Sequence, residues 1–407
     1  MLNTIKKYFV TNFLQRKIRP SHQSVMDDKS IENFKLSGYE VALHFNAPIS
    51  SIYQLEQWIP ILKELDKDIK VVLIVRRKST FDWLINNTDF SIIFAHTQKD
   101  LMHTFEENNF KCILYVNHGV QNFQSLAYRN ALHVHINHGE SEKTSTFSNQ
   151  VNAYNYIFIV AKGAYDKYRF NLLEKDMKKF IEIGRPQLEH IPKIEPFLTK
   201  RKVILYAPTW EGTHDSMNYS SLDTLGFSIV KQILEDDRYY LVYKPHPNMG
   251  INDKEIKKIN QKIIKKLNKH PHATVIKTGD INALYTHIDL AIFDNSAVAI
   301  DYLYVDKPMI LTDMFYKAVD RQSQPVIKAS SIMVSLDNLE HLLEIIQREL
   351  ESDTLKLKRD KVKEYVLGTN NYQKKESTFK FITSIKDIIK KRDRLLDELR
   401  RYEHKVL

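Results

Sequence analysis

Four short stretches hold the side chains best suited to chemistry. In Leu132–Lys143, LHVHINHGESEK, the histidines His133, His135 and His138 ride on an alternating apolar run that Gly139 and a Ser/Glu/Lys cluster then interrupt. A period-two run ending in glycine and polar residues predicts a β-strand that delivers its last side chains into a loop. His138 falls at that end, where α/β proteins place their chemistry. An imidazole titrating near neutrality can take a proton from a hydroxyl nucleophile. Gly139 permits close backbone approach, Lys143 can neutralise a phosphate, and Glu140 and Ser141 stand beside them as candidates for the cleft. His133 and His135 need no catalytic role, because a strand tolerates histidine.

The other three stretches suit phosphate. In Tyr206–Gly212, YAPTWEG, Thr209 can donate its hydroxyl, Trp210 can wall a cleft and Glu211 follows it. In Tyr243–Asn248, YKPHPN, Pro245 and Pro247 stiffen the backbone around His246, a rigidity that suits a phosphate contact, with Lys244 beside it. In Asp289–Pro308 a strand runs into Asp294-Asn295-Ser296 and then into a helix from about Ala297. Helix N-termini present unpaired N–H groups and a positive dipole end to anions. Asp294 or Ser296 would also cap such a helix, and capping and ligand binding are compatible. Neither GxxxxGK[ST] nor a strand-linked GxGxxG occurs, and no Cys/His cluster has zinc spacing. No carboxylate cage for magnesium is evident, so no obligatory metal or cofactor is expected.

The elements that must position these residues alternate between strand and helix. YEVALHF, KVVLIV, FSIIFA, KCILYV, LHVHIN and YIFIVA read as short apolar strands, separated by amphipathic stretches such as SIYQLEQWIPILKEL and KDLMHTFEENN. That pattern predicts a mostly parallel sheet covered on both faces. After a Pro/Lys-rich stretch, RPQLEHIPKIEPFLTKRK, read as a linker, a second α/β set begins at VILYAP. Two Rossmann-like halves joined near residue 195 imply a cleft faced by strand C-terminal ends. The division expected is a basic amphipathic segment at 1–30, a Rossmann-like acceptor domain at 31–195, a Rossmann-like donor domain at 196–375 and an amphipathic helix at 376–407. That last helix can cross back onto the first half, extend as a coiled coil or lie on a membrane.

Composition sets the outer bounds. A chain of 407 residues with 43% hydrophobic content is globular and suits two domains rather than one core. A net charge of +10 favours anionic partners: phosphate-rich substrates, nucleic acid or a membrane surface. The single cysteine, Cys112, excludes an internal disulfide, fits a reducing compartment and, within KCILYV, reads as a buried thiol. The first 20 residues interleave charge with apolar side chains and carry no small-residue cleavage site, so they read as neither signal peptide nor spanning helix. Leu2, Ile5, Tyr8, Phe9, Phe13 and Leu14 share one helical side flanked by lysine and arginine. This is either an interfacial anchor on an anionic leaflet or a helix packed on the protein's own body.

HGESEK, IGRPQ, LYAPTWEG, KPHPN and FDNSAVAIDYLYVDKP, in that order, resemble the CDP-glycerol glycerophosphotransferase family, the teichoic-acid- and capsule-type polyol-phosphate transferases and polymerases. With flanking text such as SIYQLEQWIP, the resemblance covers roughly residues 40 to 370. It implies a two-domain GT-B fold, a CDP-activated polyol donor with glycerol favoured, a polyol-phosphate or saccharide acceptor that can be lipid-linked, and cytoplasmic assembly on the inner face of the cell membrane without nucleic acid. The family's HG motif matches His138 and Gly139, implying the base that activates the acceptor hydroxyl. Its HP motif matches His246 and Pro247, implying a contact to the donor pyrophosphate. Its D-x-S-S segment matches Asp294 and Ser296, with Ala297 in place of the second serine. Arg185 of IGRPQ is expected in the cleft. The reaction expected is attack of the acceptor oxygen on the β-phosphorus of a CDP-polyol, with CMP leaving and Lys143, Thr209, His246 and Ser296 holding the developing charge. Two other classes share some of these features: a GT-B glycosyltransferase using a nucleotide sugar, and a non-enzymatic binder of nucleic acid or membrane.

Overall fold

The computed structural model describes residues 36–143, 147–213, 217–315, 325–369 and 371–406. The amphipathic segment expected at 1–30 lies outside them. The first sheet contains β1 (Tyr39–Phe45), β2 (Lys70–Val75), β3 (Ser91–Phe94), β4 (Cys112–Tyr115), β5 (Leu132–His135), β6 (Tyr156–Ile159) and β7 (Phe180–Glu182), ordered 3-2-1-4-5-6-7. The second contains β8 (Lys202–Ala207), β9 (Tyr239–Tyr243), β10 (Ala273–Val275), β11 (Leu290–Phe293), β12 (Met309–Thr312) and β13 (Ile332–Val334), ordered 10-9-8-11-12-13. Every recorded strand pairing is parallel.

The apolar runs explain why both faces are covered. Along β1 and β2, Val41, Leu43, Val71, Leu73 and Val75 enter one core while Ala42, Val72 and Ile74 enter the other. In β8, Ile204 and Tyr206 face one core and Val203 and Leu205 the opposite one. A strand buried on both sides has no polar face to show, which is why these segments read as continuous hydrophobic runs.

The C-terminal Glu376–Val406 helix takes the first of its three expected routes. Phe381, Ile385, Ile388 and Ile389, at helical spacing, complete the core formed by Trp58, Leu114 and Phe158 of the first half. Its first turn is fixed by Glu189, whose carboxylate accepts from the Ser377 and Thr378 backbone N–H groups at 2.7 and 2.8 Å. The stretch read as a linker is therefore partly built in: Pro186–Glu189 forms a 3-10 turn with Gln187 and Leu188 buried. Among the described residues no helix is long and apolar enough to cross a membrane. Cys112 is fully buried, and burial pushes its thiol up.

Each sheet reverses strand order once, between β1 and β4 and between β8 and β11. Thr209 and Asp294 follow β8 and β11, the strands at the second reversal, while His138 and His246 follow β5 and β9, each one strand away from a reversal.

Candidate active site between the two sheets

His138 is aimed by the turn before it. Asn137 takes a left-handed φ of 56°, a conformation that asparagine tolerates better than most residues. Trp58 Nε1 donates to the Asn137 carbonyl at 2.6 Å, and Asn137 Oδ1 accepts from the His138 N–H at 2.8 Å. The His138 Nδ1 lies 2.9 Å from the Val116 carbonyl. A carbonyl only accepts, so Nδ1 carries the proton and Nε2 presents a lone pair. Burial, with Arg185 nearby, lowers its pKa to about 4, so the ring is neutral.

His246 is held the opposite way. The Asn248 backbone N–H donates to His246 Nδ1 at 3.1 Å, which leaves the ring's proton on Nε2. Burial, with the Lys143 and Lys244 ammonium groups nearby, lowers its pKa to about 3. One imidazole thus offers a base, the other a hydrogen-bond donor. Trp210 stacks on His246 with centroids 5.7 Å apart and planes 13° from parallel. Tyr53 lies edge-on to both histidines, 6.3 Å from His138 and 5.6 Å from His246. Nothing in the sequence singles out Tyr53, because it arrives from a short helix, Tyr53–Glu56, whose text carries no motif.

Two lysines flank the histidines. Lys143 Nζ donates to Thr209 Oγ1 at 3.0 Å, joining the loop after β5 to the loop after β8. Lys244 Nζ donates to the Thr278 carbonyl at 3.2 Å. Burial lowers both ammonium groups to about 8, the expected response of a cation in a desolvated cleft. A diphosphate entering beside them would reverse that shift. Among the described residues no group of three or more His, Cys, Asp or Glu could hold a metal ion.

Several expected site residues are engaged with the scaffold. Asp294, expected at the donor phosphate, is fully buried. Its Oδ2 accepts from the Thr209 and Ser221 N–H groups at 2.7 and 3.1 Å and its Oδ1 from Thr312 Oγ1 at 2.6 Å, tying together the ends of β8, β11 and β12. Ser296 turns its hydroxyl to the Asp294 carbonyl at 3.1 Å, and the helix that follows is short, Ala297–Tyr302. Glu211, expected in the cleft, accepts from the Gly250, Asn252 and Asp253 N–H groups and so shapes the loop after His246. Arg185, expected to face the acceptor, grips Asp301 through Nε and Nη2 at 2.9 and 2.8 Å and also reaches the His138 carbonyl at 3.2 Å. Glu140 is buried, which raises its pKa, and Ser141 is partly exposed in the same loop. Gly139 lies where the two halves approach closely: a Cβ there would stand 3.0 Å from the Cβ of Ala297.

Residues 58–380 match the family model of CDP-glycerol:poly(glycerophosphate) glycerophosphotransferases. The chain belongs to this family. Over 152 residues it is 28% identical to the teichoic acid poly(ribitol-phosphate) polymerase of Bacillus spizizenii, a match covering 35% of this chain and 23% of that polymerase. The chain thus spans less than a quarter of this curated relative. Among solved structures, the wall teichoic acid polymerase TagF superposes with a TM-score of 0.56 at 14% identity, covering 96% of this chain and 99% of that one. A glycosyltransferase from Rickettsia africae gives 0.53 at 14% identity, covering 88% and 99%. At these identities the likeness is one of fold, and the fold of this family member is GT-B-like, as the family resemblance implies.

Proposed function

We propose that this family member transfers a polyol phosphate, glycerol phosphate in the first instance, from a CDP-activated donor to a hydroxyl of a teichoic-acid-like or capsular polymer and releases CMP. The observation that carries this reading is the pair of opposed tautomers, a lone pair on His138 Nε2 and a proton on His246 Nε2, set in one cleft with Lys143 and Lys244. His138 Nε2 accepts the proton of the acceptor hydroxyl as its oxygen bonds to the β-phosphorus. The bond from that phosphorus to the bridging oxygen breaks, and the electron pair leaves with CMP. His246 Nε2–H, the two ammonium groups and the Thr209 hydroxyl stabilise the charge that develops on the phosphoryl and leaving oxygens. This is a task of positioning and electrostatics. The cations are the protein's own, so turnover should persist in a chelator.

The relatives support this donor class. One is a poly(ribitol-phosphate) polymerase by name, and TagF has been solved after soaking with CDPG. We place the reaction at the cytoplasmic face of a membrane, with a lipid-linked acceptor, on the strength of the net charge of +10 and the polymer it would build. Incubation with CDP-glycerol, CDP-ribitol and UDP-sugars, with mass spectrometry of acceptor products, tests the reading. A gain of one polyol phosphate with stoichiometric CMP supports it; a gain of a sugar without phosphate contradicts it.

A further inference from the structure

The tripeptide Asn-His-Gly occurs twice, at Asn117–Gly119 after β4 and at Asn137–Gly139 after β5. These strands pair in parallel with Tyr115 opposite His135, and the Ile136 N–H donates to the Tyr115 carbonyl at 2.8 Å. The two tripeptides therefore leave the sheet side by side and in matching register. The proposed reaction uses His138 and leaves His118 without a part.

His118 stacks on His135 with ring centroids 4.0 Å apart and planes 8° from parallel. Tyr154 packs at 6.4 and 5.1 Å from the two rings. Among the described residues, none of the four ring nitrogens of this pair has a hydrogen-bond partner. Sealed polar nitrogens are costly, and native structures normally satisfy them. Burial, with His138 nearby, lowers His118 to about 4 and His135 well below the ordinary range. Each ring is therefore neutral, with one N–H and one lone pair. Uncharged groups that both donate and accept match hydroxyls, which do the same. They match phosphate poorly, because a lone pair repels it.

The location agrees with that chemistry. Lys143 and Lys244 stand towards the second sheet, Lys143 bonded to Thr209 and Lys244 to Thr278. His118 belongs to the first sheet; part of the residue is exposed while both ring nitrogens are covered. Its neighbour Asn117 donates to Gln54 Oε1 at 2.8 Å, beside the Tyr53 that packs on His138. The lysines thus bond to residues of the second half, while the loop after β4 brings His118 and Asn117 from the first, with Arg185 at the His138 carbonyl.

We infer that His118, backed by the stacked His135, binds a hydroxyl of the acceptor polyol and so presents the neighbouring hydroxyl to His138. This rests on the polyol-phosphate transfer reading. The test is initial-rate kinetics with CDP-glycerol and a soluble glycerol phosphate oligomer for wild type, His118→Phe and His118→Asn. Phenylalanine keeps the stack and removes both nitrogens, so the acceptor KM should rise about tenfold, the loss expected for one good hydrogen bond, while the donor KM stays within about twofold. Asparagine retains a donor and an acceptor and should give a smaller rise. An unchanged acceptor KM in a folded His118→Phe, or equal losses for donor and acceptor, overturns the inference while transfer by wild type stands. If wild type releases no CMP from any CDP-polyol, the transfer reading falls and this inference with it. If the phenylalanine variant does not fold, wild type labelled at histidine nitrogen decides: the His118 resonance should move on adding the oligomer and not on adding CDP-glycerol, and a resonance that stays still contradicts the assignment.

Discussion

His138 and His246 meet in one cleft from different sheets, and their loops are held by opposite means. The His138 turn is strained at Asn137 and anchored from outside by Trp58 and Arg185. The His246 loop is stiffened by its own prolines and pinned by one carboxylate, Glu211, through three backbone N–H groups. In the first loop a backbone carbonyl accepts from Nδ1; in the second a backbone N–H donates to it. The role of each imidazole follows from which backbone group its inner nitrogen meets. A base needs a carbonyl behind it, and a phosphate donor needs an N–H.

If the two imidazoles divide the work in this way, turnover depends most on His138. His138→Ala should lower kcat by ~10²-fold or more, the contribution of a positioned general base, with donor affinity by calorimetry nearly intact. A folded variant with wild-type turnover would remove His138 from the chemistry.

Next in size is the scaffold beneath the phosphate side. Asp294→Ala strands two backbone donors and the Thr312 hydroxyl in the interior, so thermal unfolding should show a loss of about 3 kcal/mol. Ser296→Ala should change donor affinity by less than about 1 kcal/mol, because its hydroxyl is engaged with the Asp294 carbonyl. A large loss of CDP-glycerol binding in Ser296→Ala, with stability unchanged, would return that hydroxyl to the phosphate.

His246→Ala should weaken CDP-glycerol binding by about 1–3 kcal/mol, as expected for a hydrogen bond to a charged group. Unchanged calorimetric affinity would place the diphosphate elsewhere.

The pH profile carries the smallest expected effect. His138 must be neutral to take a proton, and its lowered pKa of about 4 in the free protein sets the acid limb of kcat/KM. Lys143 and Lys244 are charged below about 8 and lose that charge above it, which sets the alkaline limb. A bound diphosphate favours the protonated form of all three groups. Both limbs should therefore lie at higher pH in kcat than in kcat/KM. Limbs that move downward on saturation would mean that the donor's charge is not felt by these residues.

Much of the frame was legible because buried parallel strands write themselves as apolar runs. YEVALHF and KVVLIV coincide with β1 and β2 to the residue. β7 and β13 were not legible: Phe180–Glu182 and Ile332–Val334 are three residues each, too short for a period to show. The motif histidines were legible for a similar reason, since glycine and proline punctuate the ends of strands. The division of labour among their neighbours was not. Asp294 and Thr209 lie 85 residues apart in sequence, and nothing local tells a carboxylate that binds backbone N–H groups from one that faces substrate. Glu211 and Arg185 hid their partners in the same way. His118 did leave a trace, the repeated Asn-His-Gly, which acquires meaning only once β4 and β5 are seen to be neighbours.

The opposite tautomers of the two histidines can be read directly. A two-bond proton–nitrogen correlation spectrum of the histidine-labelled protein near pH 7 reports which ring nitrogen carries hydrogen. His138 should appear with its proton on Nδ1 and His246 with its proton on Nε2, each assigned by loss of the signal in its alanine variant. The same tautomer at both positions, or a charged imidazolium at either, would contradict the account.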